Sequence, residues 1–269
     1  MTEAHDLTGV EQQHKLDDII SKWWHVNKGG FPIASDTWDK MWYYVRQVHP
    51  DGEQVEVSIR GELHAKVSYP VPPVITSSSS VTGALASIQD YLLQLQYNHT
   101  GTQFFDIKRY RSIAWLMDTA KEIIRVSLPI KCLEAFILSL YLTAPLSQLH
   151  RFAISFKSKC DGHTHRHVVM GVYCTNQFGA LGLSRKRNLM DKRLQVKSLT
   201  ELLEDYMQVY NSYNHKVVKV KLSLPIVHDL HSHEPIPWKG LIIRPTNMTP
   251  SELKKTVEKY SRIIKLSTI

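Results

Sequence analysis

The sequence predicts an α+β protein, with helices in its first half and an antiparallel sheet in its second. Three observations support this. Apolar residues recur at helical spacing up to about residue 142, the period drops to two from about residue 151, and no internal repeat is present. Hydrophobic residues make up 43% of the 269, enough for a sizeable packed core, which excludes global disorder.

The elements follow in order. In LDDIISKWWHV, Leu16, Ile19, Ile20 and Trp23 form one helical face, and Asn27 through Gly30 stop it. In SDTWDKMWYYVRQVHP the face is Trp38, Met41, Trp42, Val45 and Val48, and Pro50 ends it. These segments make residues 1–68 a helical region with little interior of its own, so its tryptophans must pack on the core or on another chain. YPVPPVITSSSSVTG, residues 69–83, reads as a linker, extended by proline and loosened by serine. Residues 84–269 then form the core.

Within that core, ALASIQDYLLQLQY places Leu85, Ile88, Leu92 and Leu95 on one face. A further helix covers about 113–126, and Pro129 punctuates. CLEAFILSLYL follows, apolar all round and therefore a central buried helix. RFAISFK, HVVMGVYC, FGALGLS and HKVVKVKLSL read as strands. The last helix has a full start signal, with Thr249 as N-cap, Pro250 at N1 and Glu252 at N3, and a stripe of Leu253, Val257, Tyr260 and Ile264.

Composition narrows the function classes. A formal net charge of +8 favours an acidic partner, whether nucleic acid, anionic lipid or acidic polypeptide. Three cysteines, Cys132, Cys160 and Cys174, argue against a disulfide framework and fit a reducing compartment. MTEAHDLTGVEQQHK has no apolar h-region, so no secretory signal is expected. The longest apolar run, around AFILSLYLTA, is too short to span a bilayer, and no integral membrane association is expected.

Cys132 stands at the first turn of the buried helix, where the helix dipole and neighbouring Lys131 are expected to lower its pKa. Position alone leaves a buried structural cysteine as the alternative. The hairpin downstream changes the weighing. A turn centred between Thr175 and Asn176 sets His167 opposite Ser184 on one sheet face, although a one-residue slip would separate them. Cys132, His167 and Ser184 then have the layout of a thiol hydrolase: nucleophile, base and orienter.

At these residues the chain resembles a known family. LPIKCLEA, RFAISFK, RHVVMGV and GALGLSR, with QYNHTGTQFF upstream and WDKMWYYVRQVHPDGE near the start, are similar to the vasohibins from about Val26 to the final helix. The resemblance implies a transglutaminase-like (papain-like) cysteine protease core, no cofactor, and removal of the C-terminal tyrosine of α-tubulin. It implies the same triad and adds Tyr97 as an oxyanion support. It also assigns Lys131, Arg185 and Arg109 to the substrate carboxylate, a task suited to arginine's bidentate geometry. SRKRNLMDKRLQVK, with Lys186, Arg187, Lys192 and Arg193, reads as a basic apron for the acidic tubulin tail. A small helical partner, the small vasohibin-binding protein, is implied on the N-terminal helices, where Trp23, Trp38 and Trp42 stand. The implied location is cytoplasmic and cytoskeletal, with unconventional secretion left open.

Two other functions compete. One is a microtubule-binding protein with an idle triad. The other is a zinc hydrolase, because KCDGHTHRHVVMG carries His163, His165 and His167 at alternate positions, with Cys160 nearby. No second shell is readable for zinc, and His163 and His165 are expected to be exposed loop residues. No nucleic-acid module is recognised, and nucleic acid is not an expected partner.

Overall fold

A computed structural model describes residues 34–62, 69–100 and 102–267. The chain divides into two compact units, Met1–Ser68 and Tyr69–Ile269. The helix expected around Leu16 to Trp23 lies outside the described residues.

The first unit contains α1 (Ser35–Val48) and α2 (Gly52–Glu62). The sequence reading does not anticipate α2. Its first residue is Gly52, where a Cβ would lie 2.6 Å from the Arg46 Cα and the Val45 oxygen, so α2 starts hard against α1. Trp42 is buried and stacks on the half-exposed Trp38 with ring centroids 6.1 Å apart. The Glu56 carboxylate lies between Arg46 at 3.1 Å and Arg60 at 3.2 Å, closing the hairpin with charge.

In the second unit the extended segment ends at Ser80, short of the expected residue 83, and α3 (Val81–Leu95) begins. Leu85, Ile88, Leu92 and Leu95 are all buried, as their spacing predicts. Helix α4 (Ile113–Val126) is capped by Ser112, whose Oγ accepts from the Trp115 N–H. Helix α5 (Cys132–Leu142) is buried almost all round, as its uniform apolar composition predicts.

Six antiparallel strands follow: β1 (His150–Cys160), β2 (His163–Cys174), β3 (Gln177–Leu181), β4 (Lys192–Val196), β5 (Lys216–Leu222) and β6 (Leu241–Ile243). Their order across the sheet is β4-β3-β2-β1-β5-β6. Both β1–β2 and β2–β3 close through two-residue turns with positive φ, at Asp161–Gly162 and Thr175–Asn176. The second turn sets the expected register, running from Cys174 opposite Gln177 to Met170 opposite Leu181.

Both faces of the sheet are covered. Ala153, Val168, Met170 and Val172 pack with α3, α4 and α5, and Phe152, Ile154, Phe156 and Val169 pack on the other side. There they meet α6 (Leu199–Ser212) and α7 (Pro250–Leu266). Helix α6 is capped by Ser198, and α7 carries the full Thr249–Glu252 capping box. Arg151, 1% exposed, donates to the Leu140 and Val227 carbonyls and places a cation at the negative end of α5. The molecule is thus α+β with an antiparallel sheet, and no described helix is long and apolar enough to cross a membrane.

Candidate active site

The site forms where α5 begins. Tyr97 bridges Ile130 in parallel fashion, with Asn98 N–H on the Ile130 carbonyl at 2.8 Å and Ile130 N–H on the Gln96 carbonyl at 3.1 Å. This short ladder sets Tyr97 beside Ile130, two residues before Cys132. Lys131 is the N-cap of α5 but caps nothing with its side chain; its Nζ donates to the Thr102 carbonyl at 3.0 Å. The cap is supplied from N3. Glu134, 1% exposed, accepts from the N–H groups of Lys131 and of its own residue and from the Gln103 side chain. Burial nevertheless pushes its carboxyl above the usual range.

Cys132 sits where the β2–β3 ladder stops. That ladder ends at Met170 opposite Leu181, and the Val168 N–H two residues further along β2 donates to the Cys132 sulfur. The pKa expected from the helix dipole and Lys131 is corrected here. Burial pushes the thiol up, the Val168 N–H and Arg109 pull it down less, and Glu134 pushes it up again. The Lys131 ammonium bonds the Thr102 carbonyl.

His167 is half-buried on β2, opposite Phe156 of β1. Its Nε2 lies 2.8 Å from the Leu189 carbonyl. A carbonyl only accepts, so Nε2 carries the proton and Nδ1 keeps its lone pair. Burial pulls the imidazole down to about 4, against the raising effect of the Leu189 bond, so the ring is neutral at pH 7.

In the structure His167 and Ser184 share no hydrogen bond. Ser184, 9% exposed, accepts from the Lys186 N–H at 3.3 Å, while Leu189 takes the imidazole. The cause lies in the strand. Beyond Leu181 the backbone of Gly182 bonds the Gln89 amide at 2.9 and 3.2 Å, so the β2–β3 register does not continue to Ser184.

The other predicted residues divide. The Arg185 guanidinium hydrogen-bonds Tyr97 and stands 5.8 Å from its ring centroid. Burial and the neighbouring Cys132 raise the Tyr97 phenol, and Arg185 opposes them. Arg109 is exposed and stacks over Trp238 at 4.9 Å, close enough to feel both Cys132 and Arg166. Within the basic run, Lys192 is not a free cation: it pairs with Asp205 at 2.8 Å. His163 and His165 are exposed but lie on β2 rather than in a loop, and the His165 ring meets that of His215 at a tilt of 57° with centroids 4.7 Å apart. Among the described residues no group of three His, Cys, Asp or Glu side chains converges to hold a metal ion.

Sequence reasoning missed Glu134 and the Leu189 carbonyl. Glu134 was visible three residues into the helix, at a capping-box position. A backbone acceptor on a distant loop leaves no compositional signal.

The family model for Vasohibin matches residues 22–265. Tubulinyl-Tyr carboxypeptidase 1 of Mus musculus is 43% identical over 242 residues, which cover 90% of this chain and 64% of that protein, so the chain spans just under two thirds of the relative's length. With the family match running across nearly the whole described fold, the chain belongs to the vasohibin family.

Proposed function

We propose that this chain is a thiol carboxypeptidase that removes the C-terminal tyrosine of α-tubulin. The observation that carries the reading is the junction of α5 and β2. A helix-start sulfur takes a hydrogen bond from the Val168 N–H, and His167, the residue before Val168 on β2, bonds the Leu189 carbonyl through Nε2, which leaves Nδ1 as the basic nitrogen. The name and 43% identity of the mouse relative support the substrate. The α5-on-antiparallel-sheet arrangement is consistent with a transglutaminase-like core.

In the resting site both groups are neutral, so proton transfer accompanies attack. Cys132 gives its thiol proton to Nδ1 of His167 as sulfur bonds to the carbonyl carbon before the terminal tyrosine. The Tyr97 hydroxyl supports the oxyanion, with backbone N–H groups at the start of α5. The imidazolium, steadied by Leu189, protonates the departing amine of tyrosine. His167 then draws a proton from water, whose oxygen adds to the thioester and frees the enzyme. Ser184 acts on the loop that presents Arg185 rather than on the ring. Arg185 and Lys131, with Arg109 nearby, would hold the free carboxylate that distinguishes a chain end from an internal peptide bond. The exposed cations of the 184–197 run would steer an acidic tail inward.

The small vasohibin-binding protein is the proposed partner of residues 1–68, in a cytoplasmic, cytoskeletal setting. If the chain expressed alone is a stable and fully active monomer, that partner is dispensable and this part fails. The raised thiol pKa favours one other reading, a microtubule-binding protein whose triad is idle. Incubating an α-tubulin tail peptide with the chain, with and without the partner, separates the two. Loss of one tyrosine by mass spectrometry supports the enzyme, and an intact peptide in both arms supports the idle site.

A further inference from the structure

We propose that Tyr206 is a positioning residue for His167, acting through the short segment that carries the Leu189 carbonyl. The proposal rests on the reading of His167 as the base and names what holds it in register.

Two consecutive carbonyls of that segment are taken by side chains from two different elements, β2 and α6. Leu189 receives the Nε2–H of His167 at 2.8 Å, and Met190 receives the hydroxyl of Tyr206 at 2.9 Å. Tyr206 stands on α6 with no exposed surface, so its bond anchors the loop to a rigid helix. Burial, then Asp191, Tyr210 and Asp205, push its phenol well above the usual value, so it remains a donor throughout the working pH range. The ring is itself fixed. Phe156, the cross-strand neighbour of His167, lies 5.1 Å from it, and the Lys192 ammonium, paired with Asp205, sits 5.0 Å from its centroid.

The hydroxyl is what the site uses. Without it the backbone at Leu189 and Met190 is held by its turn bonds, Leu189 N–H to the Lys186 carbonyl and Met190 N–H to that of Arg187, and loses its tie to α6. The Leu189 oxygen can then drift from Nε2. That bond selects the tautomer with Nδ1 free and stabilises the imidazolium, so its loss makes His167 a weaker base. Tyr206 bonds Met190 and packs on Phe156 and Lys192 rather than on Arg185 or Lys131, so the larger effect is expected on kcat.

The test compares the wild-type chain, Tyr206→Phe and His167→Ala, each with the small partner, in two assays. One is cleavage of an acidic peptide ending in tyrosine, and the other is alkylation of Cys132 by iodoacetamide across pH. Tyr206→Phe is expected to lower kcat about tenfold with KM within about twofold. It should also move the acid limb of the rate profile to lower pH and slow alkylation at pH 7. Should Tyr206→Phe not fold, 4-fluorophenylalanine at position 206 keeps the ring's length, removes only the donor, and decides by the same readouts. If His167→Ala cleaves and alkylates like the wild type, the reading of His167 falls. If His167→Ala is impaired while the Tyr206 variant keeps the wild-type kcat and pH profile, the positioning role alone is overturned, even if thermal stability drops.

Discussion

His167 should make this fold acid-labile by a calculable amount. Its imidazole is pulled from 6.5 to about 4 by burial. The folded state therefore holds the ring neutral in a range where the unfolded chain binds a proton. The contribution is fully present above pH 6.5 and is lost as pH falls from 6.5 towards 4; below that both states are protonated. At 1.36 kcal/mol per pH unit the whole loss is about 3 kcal/mol, of which about 2 is gone by pH 5. His167→Gln removes the titration while keeping a polar side chain of similar length. Urea unfolding of both proteins at pH 7.5 and pH 5 isolates the difference, because His150, His215 and His228, also lowered, titrate in both. The wild type should lose about 2 kcal/mol more than the variant over that interval. Equal losses would mean the ring is not held neutral, and the account of the resting site would be wrong.

Three further outcomes follow from the same structure. Glu134→Gln removes a buried charge that pushes the Cys132 thiol up, so Cys132 should alkylate faster at pH 7 with its profile moved to lower pH; an unchanged profile would separate Glu134 from the nucleophile. Gly171→Ala would set a Cβ 2.5 Å from the Phe152 ring and 2.9 Å from Ile154, and should destabilise by about 1–3 kcal/mol in thermal unfolding. Thr249→Ala deletes the side-chain half of the α7 capping box and should cost about 1 kcal/mol without touching the cleavage rate.

The parts of the fold that local chemistry dictates were readable from the chain. The Leu85–Leu95 stripe, the Thr249 cap and the Thr175–Asn176 turn each depend on neighbours within a few residues, and each stands as read. Helix α6 was passed over although Ser198, Glu201 and the spacing of Leu199, Leu202, Leu203, Tyr206 and Tyr210 announce it, because the cations before it invited a surface reading. Helix α2 follows Pro50, where the sequence reading ends the preceding helix and identifies no further stripe. At the site, the loss of register after Leu181 could not be read locally. It depends on Gln89, on a helix far earlier in the chain, capturing the Gly182 backbone. The direction of the Cys132 pKa shift failed for a similar reason, since dipole and neighbouring charge are local whereas burial is a property of the whole fold.

The most direct measurement is the fate of an α-tubulin tail peptide exposed to the wild-type chain and to Cys132→Ala, each with the small partner and followed by mass spectrometry. The account predicts release of the terminal tyrosine alone by the wild type, a transient adduct of the shortened peptide on Cys132, and neither with Cys132→Ala. Tyrosine released equally by Cys132→Ala would contradict it.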